Sequence, residues 1–225
     1  MAERVFAVVP IKPFESAKTR LGTALDDAQR AALAEVSAGR VLTALSRCTA
    51  IDRRIAVVED EATAAFARRH YFEPLLRPDV WGQSAAVDAG FEVARSRGAD
   101  TVLTLSADVP LAGPDDVEQL LRDAGPLVVL APDRRRDGTN ALRLSPALPF
   151  RLHFGRGSLA QHEREAAAMG LPVRIVRNPR LELDLDDPDD VSALERSGPE
   201  GRQVLIDAGR VRLEALKLRE APEPA

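Results

Sequence analysis

One cysteine, one tryptophan, one tyrosine and three lysines stand in a chain of 225 residues, and these scarcities exclude whole classes of function. Cys48 has neither a partner for an intrachain disulfide nor a ligand-spaced companion, which excludes a cysteine-based zinc or iron–sulfur site. At the end of an apolar helical segment it reads as a small buried side chain rather than a nucleophile. Aromatic residues make up only 4%, few platforms for stacking bases, and a formal charge of -4 without a lysine-rich tail gives no footprint for nucleic acid. No apolar run approaches the roughly eighteen residues of a membrane span, and MAERVFAVVPIKP lacks the apolar stretch and cleavage site of a secretory signal. A cytoplasmic protein without stable membrane insertion is expected. The GxGxxG turn and the GxxxxGK[ST] loop are also missing, so ordinary dinucleotide and P-loop readings fall.

What is present is an ordinary globular composition, 45% hydrophobic and 29% charged, of a length that suits a single domain over 1–225 with a flexible C-terminal end. VFAVV, IAVVED, TVLTLSADVPL and LVVLAPD are apolar, β-branched runs suited to buried strands. Helical segments separate them at 27–45, 61–69 and 84–97, and Pro114 opens another. This alternation predicts an α/β fold with a mostly parallel or mixed central sheet flanked by helices. NALRLSP, PVRIV and LELDL read as further strands, in an accessory sheet or as antiparallel additions to the main one, and 158–169 reads as a helix.

The loop after the first strand carries Lys12, Lys18 and Arg20, two of the three lysines in the chain. Beyond the end of a parallel strand such cations can surround nucleotide phosphates; in a plain surface loop they would only be solvated. Glu15 and Ser16 read as loop-shaping residues. Asp108 in SADVP follows a buried strand, where the core needs no acid. Asp184 and Asp186, one residue apart on an extended segment, point to one face, so three carboxylates can converge on a hard cation such as Mg²⁺. Asp187, Asp189 and Asp190 read instead as solvated cap or first-turn acids of the helix that VSAL begins. Thr139 in DGTN and Gly155, Gly157 and Ser158 in FGRGS suggest a second subsite for phosphate or carboxylate, against a plain glycine turn with a serine cap. His153 and His162 read as structural. Trp81 packs near a base or anchors its loop, and Arg134, Arg135 and Arg136 contact phosphate or lie in a solvated turn.

Together VVPIKPFESAKTRL, LSADVP, PDRRRDGTNAL, FGRGSLAQH and LELDLDDPDDV, in this order from Val5 to about Ala193, resemble the 2-phospho-L-lactate guanylyltransferase family of deazaflavin coenzyme (F420) biosynthesis. The resemblance implies a nucleotide-diphospho-sugar transferase-like fold, Mg²⁺, GTP and a small phosphorylated carboxylic acid as acceptor. It implies metal ligation by Asp108, Asp184 and Asp186, and acceptor contacts from Thr139, Gly155 and Ser158. It places Lys12 and Lys18 on the nucleotide side, where with Asp108 they carry catalysis, with Gly82 among the nucleotide contacts; Arg20, read from the loop itself, is expected to join them. WGQSAAVDAG departs from many relatives, which carry a glycine-rich stretch followed by Leu-Asn; Gly82 is retained. Phosphoenolpyruvate is the preferred acceptor, ahead of 2-phospho-L-lactate and 3-phospho-D-glycerate. Other readings are a sugar-phosphate nucleotidyltransferase, a nucleotide-sugar glycosyltransferase or a non-catalytic nucleotide-binding domain.

Overall fold

The structure is a computed structural model and describes residues 3–80, 82–122 and 127–209. Trp81, Lys217 and the C-terminal segment lie outside the described residues. One mixed sheet of seven strands runs through the molecule: β1 (Val5–Ile11), β2 (Arg53–Val58), β3 (Glu73–Leu76), β4 (Thr101–Leu105), β5 (Val128–Pro132), β6 (Thr139–Leu144) and β7 (Val173–Ile175). Their order is β3-β2-β1-β4-β6-β5-β7, and β6 alone pairs antiparallel to its neighbours. NALRLSP is thus an antiparallel addition to the main sheet, and PVRIV forms its parallel edge.

The helices are α1 (Asp27–Arg47), α2 (Glu61–Arg69), α3 (Gln83–Ser96), α4 (Pro114–Leu121), α5 (Ser158–Ala168), α6 (Pro179–Glu182), α7 (Pro188–Arg196) and α8 (Pro199–Asp207). Local chemistry sets their starts. Asp26 accepts from the Gln29 N–H at 2.8 Å while the Gln29 side chain accepts from the Asp26 N–H at 3.0 Å, a reciprocal cap for α1. Proline opens α4, α6, α7 and α8, where its missing N–H costs nothing.

Alternation along β1 divides the core. Val5, Ala7, Val9 and Ile11 pack beneath α1 and α2, whereas Phe6 and Val8 face α3 on the other side. Gly90 lets α3 approach closely: a Cβ there would stand 2.3 Å from Cγ1 of Val8. A third apolar cluster brings Leu21 of the basic loop together with Leu33 of α1, Leu183, Leu185, Val191 of α7 and Val204 of α8. That cluster positions the acidic segment, because the leucines turn inward and Asp184 and Asp186 are left on the other side.

Two expectations need correction. LELDL is not a strand: Asn178 caps a helical turn by accepting from the Arg180 N–H at 2.9 Å, Pro179 starts it, and 183–187 continues without a sheet neighbour. Asp190 is not a solvated acid, being only 4% exposed. The edge strand β3 lacks a sequence signal, since Pro74 interrupts four residues that face solvent at both ends.

Candidate nucleotide cleft

The chain leaves β1, builds β2 and β3 on one side, then returns through α3 to lay β4 on the other side of β1. Between β1 and β4 the winding reverses, and a parallel sheet opens a crevice at the carboxyl ends of such strands. A cleft of about 400 Å³ lies there. Its lining includes Lys12, Lys18 and Arg20 from the basic loop, Gly82 and Gln83 at the start of α3, and Asp108 and Asp186.

Lys18 reaches into the cleft from a left-handed backbone, φ 59, just before a 3₁₀ turn over Thr19–Thr23 that buries Leu21. Its Nζ donates to Oδ2 of Asp108 and lies 3.9 Å from Oδ1 of Asp186. Arg20, largely exposed, approaches Oδ2 of Asp186 at 3.4 Å. Lys12 is exposed on the cleft wall and has no ion-pair partner among the described residues. Gly82 enters α3 at φ 87, a conformation that favours glycine.

The acids crowd one another. Burial, then the charges of Asp108 and Asp186, push the Asp184 carboxyl up to about 7. Burial and Asp108 also raise Asp186, against the pull of Lys18 and Arg20. Asp108 moves the other way: its burial opposes ionisation, but the charge and hydrogen bond of Lys18 prevail and hold the carboxyl below its ordinary value. Oδ1 of Asp108 is buried with no hydrogen-bond partner among the described residues. As the side chains stand, no three acids, histidines or cysteines among the described residues close on a common ion position. The Lys18 ammonium stands between Asp108 and Asp186 instead.

A second arrangement fixes the acidic segment. Asp187 caps α7, and the Asp190 carboxylate accepts from the backbone N–H of Asp186 at 3.1 Å and of Asp187 at 3.0 Å. From the β5–β6 hairpin, Arg134 donates to Asp190 at 2.6 Å and Arg135 to Asp187. Two of the three arginines in PDRRRDG are therefore tied to the α7 cap.

Thr139, Gly155 and Ser158 come together beside the cleft but not on its lining. Ser158 Oγ donates to Thr139 Oγ1 at 3.2 Å, and His162 Nδ1 lies 3.0 Å from the same oxygen. His162 Nε2 accepts from the His153 N–H at 2.9 Å, so the ring proton sits on Nδ1. Burial, then His153, lowers His162 to about 4, keeping it neutral. Gly155 is exposed at φ 106. The corner is tied to the cleft on two sides: the Phe154 N–H donates to Ser84 Oγ of α3 at 2.8 Å, and the Ser106 N–H donates to the Asn140 carbonyl at 2.7 Å. Cys48 is fully buried at the end of α1, as expected, and burial raises its thiol.

Among the cleft residues that escape the sequence reading, Glu59 is the one acid. Glu59 follows β2 as Asp108 follows β4, and the same rule, an acid just beyond a buried strand, would have found it.

Residues 5–203 match the family described as Guanylyl transferase CofC like. A phosphoenolpyruvate guanylyltransferase of Rubrobacter xylanophilus is 42% identical over 198 residues, covering 86% of this chain and 95% of the relative. A 3-phospho-D-glycerate guanylyltransferase of Phenylobacterium zucineum is 37% identical over 216 residues, covering 91% and 94%. Among solved structures, a protein assigned to the nucleotide-diphospho-sugar transferases from Desulfovibrio desulfuricans G20 aligns with a TM-score of 0.76 at 14% identity, over 99% of this chain and all of that one. A nucleotidyl transferase from Methanothermobacter aligns with a TM-score of 0.64 at 16% identity, over 87% and 98%. At such identities the last two speak for the fold alone, a nucleotide-diphospho-sugar transferase-like sheet.

Proposed function

The chain belongs to the CofC-like guanylyl transferase family, and on that premise we propose that it transfers GMP from GTP to the phosphate of phosphoenolpyruvate. The products would be enolpyruvoyl-diphospho-guanosine and pyrophosphate, formed in the cytoplasm as a step of coenzyme F420 biosynthesis. The observation that carries this reading is the gathering of Lys12, Lys18 and Arg20 with Asp108 and Asp186 on the lining of one cleft at the strand ends. An oxygen of the acceptor phosphate attacks the α-phosphorus of GTP; the new P–O bond forms as the bond to the β-phosphate oxygen breaks. The attacking oxygen is already anionic at neutral pH, so no strong general base is needed.

Lys12, exposed and without an ion-pair partner among the described residues, pairs with the triphosphate and stabilises the departing pyrophosphate. Lys18 exchanges Asp108 for a phosphate oxygen as the nucleotide enters, and Arg20 joins it from the cleft rim. Asp108, Asp184 and Asp186 would hold Mg²⁺: the raised Asp184 and the unpartnered Asp108 Oδ1 fit a place that awaits positive charge. When bound, the ion would offset phosphate charge and align the reacting groups. Thr139, Gly155 and Ser158 are proposed to orient the acceptor, a reading supported by the ties between their turn and both α3 and the β4 end.

Mass-resolved product formation from GTP, Mg²⁺ and each of phosphoenolpyruvate, 3-phospho-D-glycerate and 2-phospho-L-lactate tests the reading. The expected result is preference for phosphoenolpyruvate. The Phenylobacterium relative favours 3-phospho-D-glycerate as a second reading. Turnover with a sugar phosphate alone would overturn both.

A further inference from the structure

The cleft lining contains two chemically different sets of residues. Lys18, Arg20, Asp108 and Asp186 are joined by ion pairs; Ile11, Phe14, Ala38, Val57 and Val80 are apolar, and the one other acid among the described lining residues is Glu59. Val58 pairs with Ile11 on one side and Leu76 on the other, and Lys12, Glu59 and Arg77 are the residues that follow this last paired row. Neither cation neutralises Glu59. Arg77 is held by Asp79 through hydrogen bonds of 2.9 and 3.0 Å, and no ion pair or hydrogen bond to the Glu59 carboxylate occurs among the described residues. The adjacent acid has a structural task, Asp60 capping α2 by accepting from the Thr63 N–H at 2.8 Å. Glu59, half-buried on the cleft lining, has none among the described residues.

We propose that Glu59 is the guanine-selecting residue of this cleft, its carboxylate accepting from the purine N1–H and the exocyclic N2 amino group. The assignment rests on the guanylyl-transfer reading above. An ionised carboxylate only accepts, and guanine offers two adjacent donors on its pairing edge. Adenine turns an unprotonated ring nitrogen to the same place, so acceptor would face acceptor, which rejects the wrong base more strongly than a missing contact would. Position agrees with this. With β1 between β2 and β4, the strand ends carrying Glu59 and Asp108 are about two strand spacings, roughly 10 Å, apart. That separation leaves room for the ribose between the base and the phosphates, and keeps Glu59 out of the acidic cluster.

Equilibrium titrations of the full chain with GTP, ITP and ATP in the presence of Mg²⁺, without acceptor, test the assignment. ITP keeps N1–H and lacks the amino group. The wild-type chain is expected to bind GTP about tenfold or more tightly than ITP, and ATP more weakly still. Glu59→Ala should weaken GTP by about 10- to 100-fold and bind GTP and ITP nearly alike. Glu59→Gln preserves shape and should fall between, which keeps the test open if the alanine variant does not fold. Unchanged GTP-to-ITP and GTP-to-ATP ratios in a folded variant overturn the assignment and leave the guanylyl reading intact. A wild-type chain that binds ATP as tightly as GTP overturns the guanylyl reading, and the assignment with it.

Discussion

Lys18 and Asp108, 90 residues apart in sequence, join the loop after β1 to the turn after β4 through a hydrogen-bonded ion pair largely withdrawn from water. Their side chains are 8% and 22% exposed. Lys18 holds this position from a left-handed backbone, which costs a non-glycine residue about 1 kcal/mol and persists only where the surroundings over-determine it. Leu21, fully buried three residues on, supplies that anchor. A strained lysine paired to a half-buried acid is a costly way to fix a surface loop, which is consistent with its proposed work on phosphate.

Removing the cation should therefore cost stability as well as turnover. Lys18→Met leaves Asp108 unpaired and still largely withdrawn from water, and about 2–4 kcal/mol should be lost in urea denaturation. Pairing it with Asp108→Asn should recover most of that loss, because the uncompensated charge goes too. Activity should fall by about 100-fold or more in both and not recover. A single variant as stable as the wild type would show that the pair does not hold the loop.

Asp184 predicts a pH dependence. Its carboxyl stands near 7 against an ordinary value of 3.8, so between those limits the native state binds more protons than the unfolded one. Its contribution is full below about pH 4 and is lost as pH rises towards 7. Asp184→Asn removes that loss. Its melting temperature should exceed that of the wild type by a few degrees at pH 7.5, on the order of 1–2 kcal/mol, with the gap closing towards pH 4.5. Turnover should drop, since the acid whose crowding costs stability is one proposed to hold Mg²⁺. A gap independent of pH would show that the crowding is not electrostatic.

The central strands were legible because both faces of β1, β2, β4 and β5 are covered, which leaves uninterrupted apolar runs such as VFAVV and LVVLA. The Leu-Asp alternation of 183–186 correctly separated an inward from an outward face, although helix packing rather than a sheet partner enforces it. Partner choice was not legible. Nothing local says that Arg135 reaches Asp187 or that Lys18 reaches Asp108, because such pairs depend on where two distant loops are carried. Nor does a sequence distinguish a hydroxyl aimed at a ligand from one aimed at another hydroxyl, which is how Ser158 and Thr139 stand.

The acids that follow Asp186 should separate by burial. Asp190 accepts from two backbone N–H groups and from Arg134, so Asp190→Ala frees the turn that presents Asp186. A loss of about 1–3 kcal/mol and at least a tenfold fall in turnover are expected. Asp189 is exposed, and Asp189→Ala should stay within about 0.5 kcal/mol of the wild type with normal turnover. Chemical denaturation and initial rates, measured on both, check the contrast; equal effects would mean that the cap does not position the site.

Ser158 offers the sharpest test of the acceptor corner, because its hydroxyl lies buried against Thr139 rather than in the cleft. Thr139 Oγ1 still accepts from His162 when that hydroxyl is gone, so Ser158→Ala should cost no more than about 1 kcal/mol. Thr139→Val strips both donors of their acceptor and should cost about 1–3 kcal/mol. If the corner orients the acceptor, KM for phosphoenolpyruvate should rise about tenfold in Ser158→Ala while KM for GTP stays level, since one subsite is disturbed and the other is not. His162, neutral down to about pH 4, should add no inflection to the rate profile near pH 6–7. Unchanged KM values for both substrates in a folded Ser158→Ala would confine its hydroxyl to holding the FGRG turn.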